Sequence, residues 1–185
     1  MTSFHPTSSL HDLEGILQLQ KHNLPSNLSP EEIKSQGFVT VNHTLDQLTN
    51  LNNIEKHIIA KDKDTVIGYL LAVTKASMSA IPVLIPMFEA FNKTSFKGKL
   101  IADYHYIVIG QACVDKAYRG QGVFDQLYQT YKEHYSHRYD FAITEIDVTN
   151  LRSRNAHKRV GFEEVSTYTS PDDKEWVIVV WEWKG

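Results

Sequence analysis

Two stretches of this sequence gather residue types that can do chemistry. The first is Tyr118-Arg119-Gly120-Gln121-Gly122-Val123. It lies between a β-rich run, Tyr104 to Val114, and a stretch in which Phe124, Leu127, Tyr128, Tyr131 and Tyr135 recur at helical spacing. A strand that passes through a glycine turn into a helix makes an anion cradle. Glycines let the backbone approach a ligand, and the helix start offers unpaired N–H groups at the positive end of its dipole. Arg119 adds a full positive charge and a forked donor. A phosphate or pyrophosphate is the ligand that this arrangement favours. The second stretch runs from Asn150 to Phe162 (NLRSRNAHKRVGF). Asn150 caps a helix, Ser153 and His157 share one of its faces, and Gly161 ends it.

Other reactive side chains are placed less clearly. Glu145 and Asp147 share one face of a strand from Phe141 to Val148 by alternation. Tyr104 and Tyr106 share a face of their strand, with His105 on the opposite one. Cys113 is a lone cysteine inside a strand, without a histidine motif to activate it, and reads as core. No disulfide can form within the chain, and nothing points to an oxidising compartment. The nine histidines show no metal spacing. His134 and His137 lack a carboxylate partner, so no metal is expected. Arg152, Arg154, Lys158 and Arg159 read as a solvated helix face from which one cation can reach a phosphate.

The elements that must position these groups are legible in outline. Ser9 and Asp12 form a capping box for a first helix, and Pro25 stops it. Ser29-Pro30-Glu31-Glu32 starts a second helix that Gly37 is expected to end. Thr44-Leu45-Asp46-Gln47 starts a third, reaching about Leu51. Residues 56–61 and 65–74 read as a β-hairpin about a polar turn. Residues 75–99 are a helical insertion or lid, helical from Pro82 and closed by the basic turn Lys97-Gly98-Lys99. Gly110 marks a bulge in the strand before the glycine turn. Residues 162–169 and 176–183 form a final hairpin. The order gives an α/β chain of the α+β type, with a mixed sheet, antiparallel hairpins and one crossover.

A length of 185 residues fits one domain, 1–185, large enough to bury a core without disulfides or metals. The net charge of −3 argues against a general nucleic-acid binder. The start lacks a signal-peptide pattern, and the most apolar run, Ala80 to Phe91, is too short to span a bilayer. The protein is expected to be cytoplasmic, with no membrane partner.

Known phosphate cradles narrow the choice. The nucleotide P-loop ends in Gly-Lys-Ser/Thr, which is missing here. The dinucleotide fingerprint needs a third glycine, and Val123-Phe124-Asp125 supplies none. Residues 119–123 instead resemble the acetyl-CoA loop of the GNAT superfamily of N-acetyltransferases, Arg/Gln-x-x-Gly-x-Gly/Ala. Arg119, Gly122 and Val123 match, and Phe124 stands where the family usually has Gly or Ala. Asn150 to Phe162 resembles the family's late motif, Asn-x-x-Ala/Ser-x-x-x-Tyr/His-x-x-x-Gly-Phe. The likeness covers about residues 55–183, with firm motifs from 112 to 162.

The resemblance implies a GNAT fold: a mostly antiparallel sheet flanked by helices and splayed at the cofactor strands. It implies acetyl-CoA as cosubstrate, held by the backbone of Ala112, Cys113 and Val114, by Arg119, Gly120, Gln121, Gly122, Val123 and Phe124, and by Asn150, Ser153 and His157. The reaction is acetyl transfer to a small-molecule or peptide amine by direct attack in a ternary complex. His157 stands where the family places an acid for the leaving thiolate. Glu145 is the candidate base, reaching the amine through water. Alternatives are an acyl-CoA-binding regulatory or interaction module without turnover, and transfer of another acyl group or to an oxygen acceptor. Trp176, Trp181 and Trp183 on the last hairpin suit either a homodimer or a core.

Overall fold

The computed structural model describes residues 1–36 and 38–184. In chain order the elements are β1 (Thr2–Pro6), α1 (Leu10–His22), α2 (Pro30–Gln36), α3 (Leu45–Ile54), β2 (Ile58–Asp62) and β3 (Thr65–Val73). Next come α4 (Ile85–Lys93), β4 (Ser95–Phe96), β5 (Lys99–Leu100), β6 (Tyr106–Val114) and α5 (Val123–Tyr135). The chain closes with β7 (Phe141–Asp147), α6 (Leu151–Val160), β8 (Glu163–Thr169) and β9 (Glu175–Glu182). The main sheet has seven strands in the order β1-β2-β3-β6-β7-β9-β8. Its neighbours are antiparallel except β6 and β7, which α5 connects as a parallel pair. β4 and β5 form a separate two-stranded hairpin, and the turn between them is Lys97-Gly98.

The helix starts follow the capping chemistry of the sequence. Ser9 Oγ accepts from Asp12 N while Asp12 Oδ2 accepts from Ser9 N. Ser29 and Glu32 exchange the same two bonds, as do Thr44 and Gln47. The expected cap Gly37 lies outside the described residues. β1 was not expected. Its five residues end in Pro6 and have a weak apolar alternation, and they gain order only by pairing with β2.

The sheet buries both faces. Under α5, Leu127, Tyr128, Tyr131 and Tyr135 pack on Ile107, Ile109, Ala142 and Ile146. On the opposite face, α4 lays Met87, Phe88 and Phe91 against Val108, Phe141, Ile143, Ile178 and Val180. There α1 and α3 bring Leu13, Ile16 and Leu48 onto Tyr69, Leu71 and Cys113. Helix face and strand parity therefore agree, and this agreement fixes which side of β6 and β7 each residue takes. Residues 75–99 open with short 3-10 turns at Lys75–Ala80 and Pro82–Leu84, and α4 starts only at Ile85. Among the described residues no helix is long and apolar enough to cross a membrane.

Candidate active site

The site begins with a broken register. β6 and β7 pair only at Tyr106–Phe141, Ile107–Ala142 and Val108–Ile143. One side chain makes the next link: Thr144 Oγ1 donates to Ile109 O at 2.7 Å. Beyond it the strands separate. The cause lies partly in β6 itself. Leu70 opposes Ala112 while Ala72 opposes Ile109, so three residues of β6 are spent against two of β3. This is the bulge expected at Gly110, where a side chain would come within 2.6 Å of Val73 Cγ2.

The glycine turn sits at the end of the splayed strand. Gly122 is the N-cap of α5 with φ 81°, in the left-handed region, and no side chain caps this helix. The first backbone bond of α5 runs from Gln126 N to Gly122 O at 3.0 Å, which leaves the N–H groups ahead of it pointing toward the turn. A Cβ built on Gly120 or Gly122 meets nothing within 4 Å, so the space above the turn is open. Arg119 braces the turn. Its Nε donates to Val114 O at 2.9 Å and its Nη2 to Asn23 Oδ1 at 2.7 Å, tying the turn to the end of α1.

α6 forms the facing wall. Asn150 caps it, with Oδ1 accepting from Ser153 N at 3.1 Å. Between the walls lies a cleft of about 600 Å³. Its lining includes Ala112, Cys113, Val114, Arg119, Gly120, Gly122, Val123, Phe124, Asn150 and Ser153, all of them residues that the resemblance named. It also includes Asn23, Phe38 and Val39 from the N-terminal third, which carried no signal in the sequence. Arg152 and Arg159 line it too, so three cations border the opening. Arg159 pairs with Asp125 at 2.8 Å, whereas Arg154 turns away to Glu164 at 2.8 Å.

Two of the expected lining residues are elsewhere. Gln121 folds back on its own turn, with Nε2 donating to Ala117 O at 2.8 Å. His157 is 3% exposed and stands behind the cleft wall, in a ring cluster with Phe124, Tyr128 and Phe162. Its Nδ1 lies 2.8 Å from Ser153 O, and its Nε2 lies 2.6 Å from Tyr128 Oη. The ring is satisfied as a neutral imidazole, with N–H on Nδ1 and Tyr128 donating to Nε2. Burial pushes its pKa down to about 4, so a neutral-range acid, as the sequence suggested, does not fit this setting. The family resemblance placed His157 on the cofactor wall, on the helix face that it shares with Ser153. The face is right, but the ring lies one layer deeper.

Glu145 is the first residue after the Thr144 link, and alternation puts it on the α4 face with Phe141 and Ile143. It is half-buried beside the split and outside the cleft lining. Burial raises its pKa to about 7, a hydrogen bond from Tyr168 opposes that rise, and the charge of Asp172 adds to it. Asp147 turns to its own loop and accepts from Thr149 N at 2.8 Å. Tyr106 is core, stacked on Phe141, and Tyr104 Oη donates to Phe96 O at 3.0 Å. Cys113 is buried in the α1-side core, and burial drives its thiol up to about 12, which leaves it a poor nucleophile. Among the described residues no group of three His, Cys, Asp or Glu side chains can hold a metal ion.

A family model described as "Acetyltransferase (GNAT) family" matches residues 17–162. The chain belongs to this family of acetyltransferases. Solved structures share its fold at low identity. The ribosomal-protein-S18-alanine N-acetyltransferase from Escherichia coli is 10% identical at a TM-score of 0.65, over 100% of this chain and 96% of that one. Arabidopsis thaliana NAA60, in complex with a bisubstrate analogue, is 16% identical at 0.66, over 98% of each chain. The aminoglycoside acetyltransferase AAC(6')-Ib in complex with coenzyme A is 16% identical at 0.61, over 98% of this chain and 95% of that one. No curated protein sequence matches the chain.

Proposed function

We propose that this protein transfers an acetyl group from acetyl-CoA to an amine by direct attack within a ternary complex. The observation that carries the reading is the split between β6 and β7, opening beside a helix start that no side chain caps. The open space above Gly120 and Gly122 fits a pyrophosphate against the N–H groups of α5. The freed edge of β6 at Ala112–Val114 fits the pantetheine amides. A backbone N–H there polarises the thioester carbonyl as charge develops on its oxygen. Arg152 and Arg159 suit the phosphates at the mouth. When bound, acetyl-CoA supplies an activated acetyl thioester, and the protein supplies alignment and a base.

Glu145 is that base. It stands at the split on the face opposite α5, and its raised pKa keeps it basic enough to take an amine proton near neutral pH. Ser153 is one of the α6 residues that line the cleft, with Arg152, Asn155, Ala156 and Arg159. His157, bonded behind it, holds Ser153 in place, and the sulfur leaves toward the open cleft.

The test combines binding with turnover. Acetyl-CoA is expected to raise the melting temperature, and a panel of a polyamine, an aminoglycoside and peptides with free N-termini is expected to contain an amine that releases free CoA. Stabilisation without release by any amine or alcohol points to a binding module. The absence of a shift with millimolar acetyl-CoA overturns the reading.

A further inference from the structure

The last hairpin carries a register shift that neither the fold nor the cofactor wall requires. Along β8, Glu163 and Glu164 oppose Val180 and Val179, but Ser166 then opposes Ile178. One residue, Val165, is extra. Were Val165 paired in regular register instead, Tyr168 would oppose Glu175 and point to the other face of the sheet. With Val165 extra, Tyr168 opposes Trp176 and joins the face of Ile178, which is also the face of Glu145. The packing agrees: Val165 and Tyr168, three apart, both lie against the α4-side core. Bulges of this kind re-aim side chains, often beside active sites.

What the bulge aims is a donor. Tyr168 Oη donates a hydrogen bond to Glu145 Oε2, crossing β9 to reach it. The groups that bear on Glu145 are this hydroxyl from β8 and the charge of Asp172 from the 170–174 turn, while β9 opposes it with Ile178. Asp172 is fixed in turn by Ser170 Oγ at 2.5 Å and Lys174 Nζ at 2.9 Å.

We infer that Tyr168 is the positioning residue for the base: it clamps one carboxylate oxygen of Glu145 so that the other, Oε1, receives the proton. This rests on Glu145 acting as proposed above. The amine nitrogen forms the C–N bond to the acetyl carbon, the C–S bond breaks with its electron pair going to sulfur, and the amine proton goes to Oε1. Tyr168 keeps its own proton, because burial and the adjacent carboxylate both drive the pKa of its hydroxyl upward.

Tyr168→Phe keeps the ring and removes only the donor. The first measurement is the titration of Glu145 by carboxyl-carbon NMR in the full-length protein, its resonance assigned by loss in Glu145→Gln. The expected result is a midpoint about one pH unit higher in Tyr168→Phe, since a hydrogen bond to the charged form is gone. The second is turnover of acetyl-CoA with an amine that the panel identifies. Here kcat is expected to fall about tenfold with KM for acetyl-CoA unchanged, and the acidic limb of the pH profile to move up with the NMR midpoint. An unmoved midpoint overturns the clamp. A midpoint that moves while kcat and the limb stay fixed leaves the clamp intact and instead removes Glu145 as the base. If no amine turns over, the NMR titration alone decides the clamp.

Discussion

The two sides of the β6–β7 split are made of different material. On the α5–α6 side the wall is largely backbone: a freed strand edge, a glycine turn and the first N–H groups of α5. On the α4 side it is side chains, Glu145 and Tyr168, whose aim depends on strand parity and one extra residue in β8. A backbone wall needs particular residue types at fixed spacing, because only glycine tolerates the turn. A side-chain wall can be rebuilt at another register with other residues. The first therefore writes a motif into the sequence, and the second does not.

The contrast predicts that damage to each side is separable. The largest effect is expected from Glu145→Gln, which should lower kcat by about 100- to 10,000-fold while acetyl-CoA affinity by calorimetry stays unchanged. Loss of affinity there would merge the two sides. Next is Gly122→Val, which forces a branched residue into φ 81° and fills the cradle. Acetyl-CoA affinity should fall about tenfold to hundredfold, with the circular dichroism spectrum retained.

The next effect arises in the layer behind the cleft wall. His43, His57 and His157 are buried and neutral, with pKa values pushed down by burial to about 4, about 3 and about 4. Each is ordinary in the unfolded chain, near 6.5. As pH falls below about 6.5 the unfolded state binds more protons, so stability is fully present above that point and is lost toward pH 4 and below. The melting temperature should fall across this window. His157→Phe should flatten the fall by one histidine's share and cost about 1–3 kcal/mol at pH 7, because the Tyr128 hydroxyl loses its partner. The pH dependence of kcat should be unaltered, and a flattened rate profile would return His157 to the role of proton donor. The smallest effect belongs to the exposed rim. Arg152→Gln should weaken acetyl-CoA only a few-fold at low salt, and less at high salt.

Much of the molecule was readable before its structure was known. The capping pairs at Ser9, Ser29 and Thr44 fixed helix starts because each satisfies donors that have no other partner. Gly110, Gly122 and Asn150 marked the bulge, the cradle and the α6 cap. What escaped depends on contacts distant in sequence. Asn23, Phe38 and Val39 reach the cleft through tertiary packing that no local pattern encodes: Asn23 ends α1, which packs on β3, and Val39 N donates to Asn23 O at 3.1 Å. The depth of His157 is decided by Tyr128, 29 residues away. Tyr168 was hidden by simple alternation, which a single extra residue at Val165 inverts.

Backbone pairing stops at Val108 and Ile143, and one hydroxyl holds the next step shut. The apex of the wedge is thus held by a side chain as well as by the bulge in β6. Each residue of travel along a strand is about 3.3 Å. Thr144 works as one stop on a sliding gauge, and it lies outside both motifs.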